Sequence, residues 1–187
     1  MSGHGHIDPS NKKVALLIAV LAAVLAFSET LGKGAQTTAL SLNIEAANLW
    51  SFFQAKTIRM TAVRTAGEAL EAQLPLAATP QASEAARKRI DDWRKTAARY
   101  DSEPETGEGR KELAARAKAA EQKRDRTLAA YHQYETASAA LQLAIVLASA
   151  TVVTNVAFLM WAAMGLGVVG AAFCLVGFVA PTAVHLF

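Results

Sequence analysis

An uncharged stretch at the C-terminal end constrains the fold of this chain more than any other feature of its sequence. From residue 136 to residue 187 there are 52 consecutive residues without Lys, Arg, Asp or Glu. A helix that crosses a bilayer needs about 20 mostly apolar residues, so the stretch is too long for one span and suits two. The polar pair Thr154-Asn155 lies in its middle and predicts a turn. We therefore expect a hairpin of two transmembrane helices, at 136–154 and 156–180, followed by a tail at 181–187.

A second apolar segment, "VALLIAVLAAVLAF", follows two lysines near the N-terminus and occupies residues 14–27. Extending it through the next helical turn gives a span at 14–31, which is close to the length that crosses a bilayer. The lysines, the short apolar segment and the small residues Val24 and Ala26 would also fit a cleaved signal peptide. Because the helical pattern continues beyond residue 27, we predict an uncleaved signal-anchor helix preceded by a leader at 1–13.

The residues between these segments, 32–135, form a polar insert. From residue 82 to residue 135, 24 of 54 residues are charged, 13 basic and 11 acidic. Two proline-containing segments, 74–81 and 102–109, predict loops. They divide the insert into three helices, at about 33–73, 82–101 and 110–135. The predicted fold is an all-α membrane protein with three transmembrane helices and a coiled-coil-like helical insert between the first and the second.

Much of the charge in the insert is accounted for by pairs on solvated helix surfaces. Acid-first pairs four residues apart stabilise an exposed helix by about 0.2–0.5 kcal/mol each. Three such pairs are present: Glu84 with Lys88, Asp91 with Lys95, and Glu112 with Arg116. Because basic and acidic residues are interleaved, no face is purely cationic, and binding of nucleic acid is not expected.

The first insert helix carries an apolar stripe whose members are alternately three and four residues apart. The stripe comprises Ala39, Leu42, Ala46, Leu49, Phe53, Lys56, Met60, Val63, Gly67, Leu70 and Leu74. This spacing is the pattern of a coiled-coil seam. Shorter stripes in the other two insert helices predict that the three helices pack together, within one chain or between protomers. Because alanine buries little apolar area, one insert alone would have a thin core, and we expect a homo-oligomer.

The segment "NLWSFFQAKTIR", residues 48–59, divides by helical phase. Phe53 and Lys56 fall on the seam, Trp50 and Gln54 on the neighbouring stripe, and Phe52 and Arg59 on the opposite flank. The candidate partner or oligomer interface comprises Leu42, Leu49, Trp50, Phe53, Gln54, Lys56, Arg59, Met60 and Val63. A lysine on a seam can set the register or oligomeric state, and several copies around one axis would attract anions. Alternatively, its side chain extends past the seam to solvent.

Small residues recur at helical spacing in the predicted hairpin. In the last helix they are Ala163, Gly167, Gly170, Cys174 and Gly177, and in the preceding helix Ala140, Ala144 and Ala148. In lipid, such stripes allow close packing of helices. A pore lining is the alternative, but pores usually carry polar groups at intervals, so we predict packing. The single cysteine is interpreted as one of these small packing residues.

Two segments resemble a family of small bacterial membrane proteins known as domain of unknown function 4337. They are "DPSNKKVALLIAVLAAVLA" and "AQTTALSLNIEAANLWSFFQAKTIR", together with the uncharged helical pair at the end. Within the second segment the residues from Trp50 to Arg59 fit the family pattern W-x-x-[YF]-Q-A-K-x-I-R, and His4 and His6 fit a His-bearing leader. The resemblance implies three spans and a helical insert, and it implies no activity.

The remaining patterns do not assemble a catalytic or cofactor site. His4, His6 and Asp8 could hold a metal weakly, but a mobile leader is the simpler interpretation, and we predict no metal and no cofactor. We expect a non-enzymatic, membrane-anchored helical scaffold or accessory subunit, which self-associates or docks on a larger membrane complex. The alternative is an oligomeric channel or small transporter. The expected location is the bacterial inner membrane, with the N-terminus cytoplasmic because of Lys12 and Lys13, although basic residues before the second span argue the reverse.

Overall fold

The computed structural model describes residues 9–183, and within that range the chain is helical and has no β-strand. The four helices are α1 (Pro9–Gln73), α2 (Pro80–Asp101), α3 (Arg110–Thr154) and α4 (Ala157–Val179), with a 3-10 turn at Leu74–Leu76. By length and composition, α1, α3 and α4 could each cross a membrane. The predicted all-α fold with three long apolar helices is therefore confirmed. The leader residues His4, His6 and Asp8, for which we predict no metal, lie outside the described residues.

Two of the helices continue across the predicted boundaries between span and insert. α1 is 65 residues long and contains both the segment 14–31 and the segment 33–73. α3 is 45 residues long and likewise contains 110–135 and 136–154. Gly32 does not interrupt α1, although a glycine inside a helix costs about 1 kcal/mol relative to alanine. Its missing side chain leaves room for Tyr134, whose Cβ would lie 3.4 Å from a Cβ built on Gly32.

The ends of the helices follow from local sequence chemistry. The residue before a proline is disfavoured in the helical region, and α1 ends just before Leu74-Pro75. Thr79 caps α2, because its side-chain oxygen accepts a hydrogen bond from the Ala82 amide at 3.2 Å, and Pro80 occupies the first helical position. Asn155 has φ of 55° between α3 and α4, a left-handed conformation that asparagine tolerates better than most residues.

The chain divides into two compact units. The first, here called the terminal unit, consists of α1 as far as Leu40 and of the chain from Lys123 onward. The second, the central unit, is Ser41–Gln122.

Close packing in the terminal unit depends on the small residues of α4. Ala163, Gly167, Gly170 and Gly177 are buried, and Cys174 is half-buried. A Cβ on Gly170 would lie 2.7 Å from Cγ of Leu141 on α3 and 3.1 Å from the backbone oxygen of Ala137. Gly167 lies against Leu21 of α1, and Gly177 against Tyr134 of α3. The stripe on α4 therefore allows close approach to both α1 and α3.

Polar side chains also join α1 to α3 in the terminal unit. The Ser28 hydroxyl is buried and donates a hydrogen bond to the backbone oxygen of Tyr134 at 3.1 Å. Ser138 donates to the Ser28 hydroxyl at 3.3 Å. The Gln142 amide donates to the Glu29 carboxylate at 3.3 Å. Each of these bonds joins one residue of α1 to one of α3, so they favour a single register of the two helices.

The opposite faces of these helices expose large apolar side chains. Leu16 and Phe27 on α1 are 68% and 64% exposed, and Phe158 and Phe178 on α4 are 75% and 74% exposed. Large apolar side chains exposed in such number are uncommon in a protein surrounded by water.

We expect Gly170→Ala to destabilise the terminal unit, because its methyl group would overlap Leu141 and the backbone of Ala137. Overpacking of this kind costs about 1–3 kcal/mol. The matched control is Gly165→Ala, since no atom of the described residues lies within 4 Å of a Cβ at that position. Gly165→Ala should leave stability unchanged or raise it by up to about 1 kcal/mol through helix propensity. Thermal unfolding in mild detergent, followed by circular dichroism, measures both; equal shifts for the two variants would contradict the packing described.

Candidate functional site

The apolar stripe of α1 is covered within the chain. Its members in the central unit, here called the inner stripe, are all buried or half-buried: Leu42, Ala46, Leu49, Phe53, Lys56, Met60, Val63, Gly67, Leu70 and Leu74. Leu49 packs with Leu113 and Ala117 of α3. Ile90 and Ala97 of α2 are buried as well. The three helices of the central unit thus pack on one another without a second copy.

Trp50 joins α1 to α3 beside this core. Its indole Nε1 donates a hydrogen bond of 2.9 Å to the carboxylate of Glu121. The ring also meets Phe53 edge to face, with centroids 5.3 Å apart and planes at 82°. Edge-to-face pairs contribute about 0.5–1.5 kcal/mol beyond their area. Trp50 therefore acts in this chain as a contact between α1 and α3.

Lys56 interrupts the apolar inner stripe, and its partners come from α2 and the following loop. The side chain is only 16% exposed, and its Nζ lies 3.5 Å from the carboxylate of Glu108, which is 66% exposed. The same Nζ lies 5.5 Å from the ring centroid of Tyr100, within range of a cation–π contact. The side chain thus stays within the packed surface and reaches the groove described below.

Arg110, at the start of α3, holds the end of α2 and the loop in place. Its guanidinium lies over the Phe53 ring, 5.1 Å from the centroid, and its Nη1 donates to Asp101 at 3.2 Å. Lys111 also contacts Asp101, at 2.9 Å. The hydrogen bond from Lys111 lowers the pKa of Asp101. These contacts link both ends of the loop at 102–109.

Glu112 caps the same loop, and this corrects one predicted ion pair. Its carboxylate accepts hydrogen bonds from the Ser102 hydroxyl at 2.6 Å and from the Glu103 amide at 3.1 Å. The Ser102 hydrogen bond lowers the pKa of Glu112. The predicted pair of Glu112 with Arg116 is therefore wrong, because the loop takes the carboxylate. The predicted pair of Asp91 with Lys95 is confirmed at 2.6 Å.

A groove of about 340 Å³ opens beside Lys56. It will be called the Lys56 groove. Its apolar wall consists of Leu49, Phe52 and Ala55 from α1 and of Leu113 from α3. Phe52 is 62% exposed, which is unusual for so large an apolar side chain. The groove therefore offers an open apolar and aromatic surface.

The rest of the Lys56 groove is charged, and cations are in excess. Lys56, Arg59 and Arg116 line it with one carboxylate, that of Glu108. Arg59 and Arg116 are exposed, and neither has an ion-pair partner among residues 9–183. The four charges lie close together although they come from α1, the loop and α3. The net charge of the lining favours an anion.

The face of α1 opposite the inner stripe is apolar as well, and it is exposed. This outer α1 face consists of Ile44, Ala47, Ser51, Ala55, Ile58 and Ala62, spaced three or four residues apart. Ile44 and Ile58 are 54% and 69% exposed. The Ser51 hydroxyl donates to the Ala47 backbone oxygen in its own helix, so it needs no other partner. By contrast, the exposed residues of α2 include nine charged side chains. The outer α1 face thus lacks the charge that solvated helices in this unit carry.

The predicted interface residues separate into three groups in the structure. Most contribute to packing inside the central unit: Leu42, Leu49, Trp50, Phe53, Met60 and Val63. Lys56 and Arg59 come together in the groove, and Gln54 is exposed apart from it. The small residues predicted for helix packing lie between α4 and its neighbours in the terminal unit.

Sequence reasoning missed the residues that complete the groove. Glu108 lies in the loop at 102–109, and nothing in the sequence indicated that it contacts Lys56. Arg116 was assigned to Glu112 by spacing alone. Helical phase places Phe52 on the same flank as Arg59, and this pairing of an aromatic residue with a cation is the one signal of the groove in the sequence.

Comparison with known families places the chain in one of them. The family model described as Domain of unknown function (DUF4337) matches residues 10–180. The chain belongs to the DUF4337 family. The match includes both units and all the residues of the Lys56 groove. No curated protein and no solved structure gives a significant match.

In this DUF4337 chain, Trp50→Phe should destabilise the central unit. The change removes the hydrogen bond to Glu121 and leaves that carboxylate without its donor, which costs about 1–3 kcal/mol. Urea or thermal unfolding of the full chain in mild detergent measures the effect. Trp161→Phe is the matched control, because Trp161 is 71% exposed. Equal losses in the two variants would show that the bond to Glu121 contributes nothing.

Proposed function

We propose that this DUF4337 protein is a non-enzymatic scaffold, anchored in the bacterial inner membrane, that assembles with copies of itself through the outer α1 face. The observation that carries the proposal is the uncharged, exposed stripe along α1. The same face would serve an accessory subunit that docks on a larger membrane complex.

The exposed apolar surface of the terminal unit supports a membrane anchor. Within the most apolar window of α1, only 17% of the residues are buried in the chain, and in α4 only 22%. Lipid would cover the exposed side chains of Leu16, Phe27, Phe158 and Phe178. Polar groups of α1 and α3 bond to one another, as a lipid environment requires.

The outer α1 face supports self-association. Water-exposed helices are usually protected by charged side chains, and this face has none over about five turns. Its alanines and serine permit close approach of a second helix, and its two isoleucines supply apolar area. An interface formed by the same patch on both partners needs no complementary charge.

A membrane anchor makes a second copy the favoured occupant of this face. Copies in one bilayer share an orientation, so a two-fold axis along the membrane normal would bring two outer α1 faces together in parallel. Anchoring also raises their effective concentration, which lowers the affinity required. Because the inner stripe is already covered within each chain, assembly does not compete with folding of the central unit.

The orientation that we propose has the N-terminus in the cytoplasm and the central unit in the periplasm. Lys12 and Lys13 lie directly before the first apolar segment, and basic residues near a span favour the cytoplasmic side. Lys123, Arg124 and Arg126 oppose this assignment. Their influence is weaker because long segments translocate largely regardless of charge.

The proposal predicts a discrete homo-oligomer in mild detergent. Ala47→Glu should shift it toward the monomer, because two carboxylates would meet at a face that is apolar in the wild type. Size-exclusion chromatography with multi-angle light scattering gives the protein mass in the micelle. The matched control is Ala85→Glu, which places the same charge on an exposed position of α2.

A monomeric wild-type protein that purifies without any companion would refute the scaffold proposal. A monomer that purifies in fixed ratio with another membrane protein would replace self-association by docking on that complex. If Ala47→Glu and Ala85→Glu gave the same mass as the wild type, the outer α1 face would not be the interface.

A further inference from the structure

The ammonium group of Lys56 has more hydrogen-bonding capacity than the chain satisfies. A lysine has three N–H donors. Within the described part of the chain the one acceptor in reach is Glu108, 3.5 Å away at the limit of a hydrogen bond. The lysine side chain is only 16% exposed, so most of it is packed against the protein. The Tyr100 ring contributes a cation–π contact and accepts no conventional hydrogen bond. An anion in the groove would supply further hydrogen-bond acceptors for this ammonium group.

The two arginines of the groove also favour binding of an anion. Arg59 lies one helical turn beyond Lys56 on α1, and Arg116 approaches from α3. A guanidinium offers a planar set of donors that matches the oxygens of a carboxylate or phosphate. With one carboxylate against three cations, the lining has a formal charge of +2.

The apolar wall indicates that a bare inorganic ion would leave part of the groove unused. Leu49 and Leu113 form its inner side, and Phe52 presents an exposed aromatic ring at its edge. The volume of about 340 Å³ is at the lower end of the range for small-molecule sites, about 300–1,000 Å³. Aromatic and apolar walls with a few convergent polar groups are typical of such sites.

We propose that the Lys56 groove binds a small anionic amphiphile, with a carboxylate or phosphate head on an aromatic or short acyl body. The head contacts Lys56, Arg59 and Arg116, and the body lies against Phe52 and the leucines. Glu108 occupies part of this position in the unliganded chain and acts as an internal competitor for the cations. The site is formed by one chain, so its binding does not depend on the proposed self-association.

Titration of the full-length chain in neutral phosphatidylcholine nanodiscs with 1-naphthyl phosphate tests this assignment. Isothermal titration calorimetry should detect saturable binding that weakens as salt is raised, because the contacts are between charges. Arg59→Gln and Arg116→Gln should each weaken binding about two- to fivefold, the size of an exposed ion pair. Glu108→Gln should tighten binding by a similar factor, because it removes the competing carboxylate.

Arg87→Gln is the control variant, since it removes one exposed cation from α2 outside the groove. It should leave the affinity unchanged. Two further probes separate the parts of the ligand: 1-naphthoate tests whether a carboxylate head suffices, and inorganic phosphate tests whether the body matters. Weaker binding of inorganic phosphate than of 1-naphthyl phosphate is expected.

Absence of saturable binding of 1-naphthyl phosphate, or equal affinities for Arg59→Gln, Arg116→Gln and Arg87→Gln, would overturn the proposal. Equal affinity for inorganic phosphate would also overturn it, because the apolar wall would then have no role. Light scattering of the same variants separates this result from self-association: groove variants should keep the wild-type mass.

Discussion

The packing of the central unit depends on burial of the inner α1 stripe against α2 and α3. One face of α1 supplies the apolar residues, and the ion pairs and caps of the 102–109 loop hold the other two helices in register. Because the inner stripe is buried against other helices of the same chain, any partner must bind a different surface. Two surfaces remain accessible for binding: the outer α1 face, which is apolar and exposed, and the Lys56 groove beside it.

The sequence predicted the helical class and the packing face because both depend on periodicity. Residues three and four apart share a face of a helix, so the spacing alone predicts that Leu42, Leu49 and Met60 lie together. Periodicity does not reveal what covers a face. The same stripe fitted packing within one chain and packing between protomers, and only the positions of α2 and α3 distinguish them. Periodicity does not predict the outer α1 face, because alanine and serine contribute little hydrophobicity to a helical pattern.

The groove was less predictable than the fold, because it joins residues distant in sequence. Lys56 was identified as anomalous from its position in an apolar stripe, yet its partner Glu108 lies in a loop whose conformation depends on Gly107, at φ of 67°, and on the Glu112 cap. Arg116 was assigned a helical neighbour by spacing, and Glu112 instead satisfies loop donors that would otherwise be unpaired. The i, i+4 spacing rule therefore gave the wrong partner for Glu112, because its carboxylate accepts hydrogen bonds from Ser102 and Glu103 instead.

The two surfaces have distinct physical characters and would be used independently. The outer α1 face has no charge and suits another helix, whereas the Lys56 groove has excess positive charge and suits a small anion. Ala55 belongs to both surfaces. In the proposed function, the apolar exterior of the terminal unit is the membrane anchor that keeps copies of the chain parallel.

Cysteine cross-linking in native membranes tests the central claim about the outer α1 face most directly. The chain would carry Cys174→Ser, to remove its single cysteine, together with Ser51→Cys on that face. In a parallel two-fold contact, the Cα atoms of the two introduced cysteines would lie about 4.4–6.8 Å apart, the separation that a disulfide requires. Oxidation should then give a covalent dimer from Ser51→Cys and none from Ala85→Cys on α2. Equal dimer yields at the two positions, or no dimer at Ser51→Cys, would contradict the account.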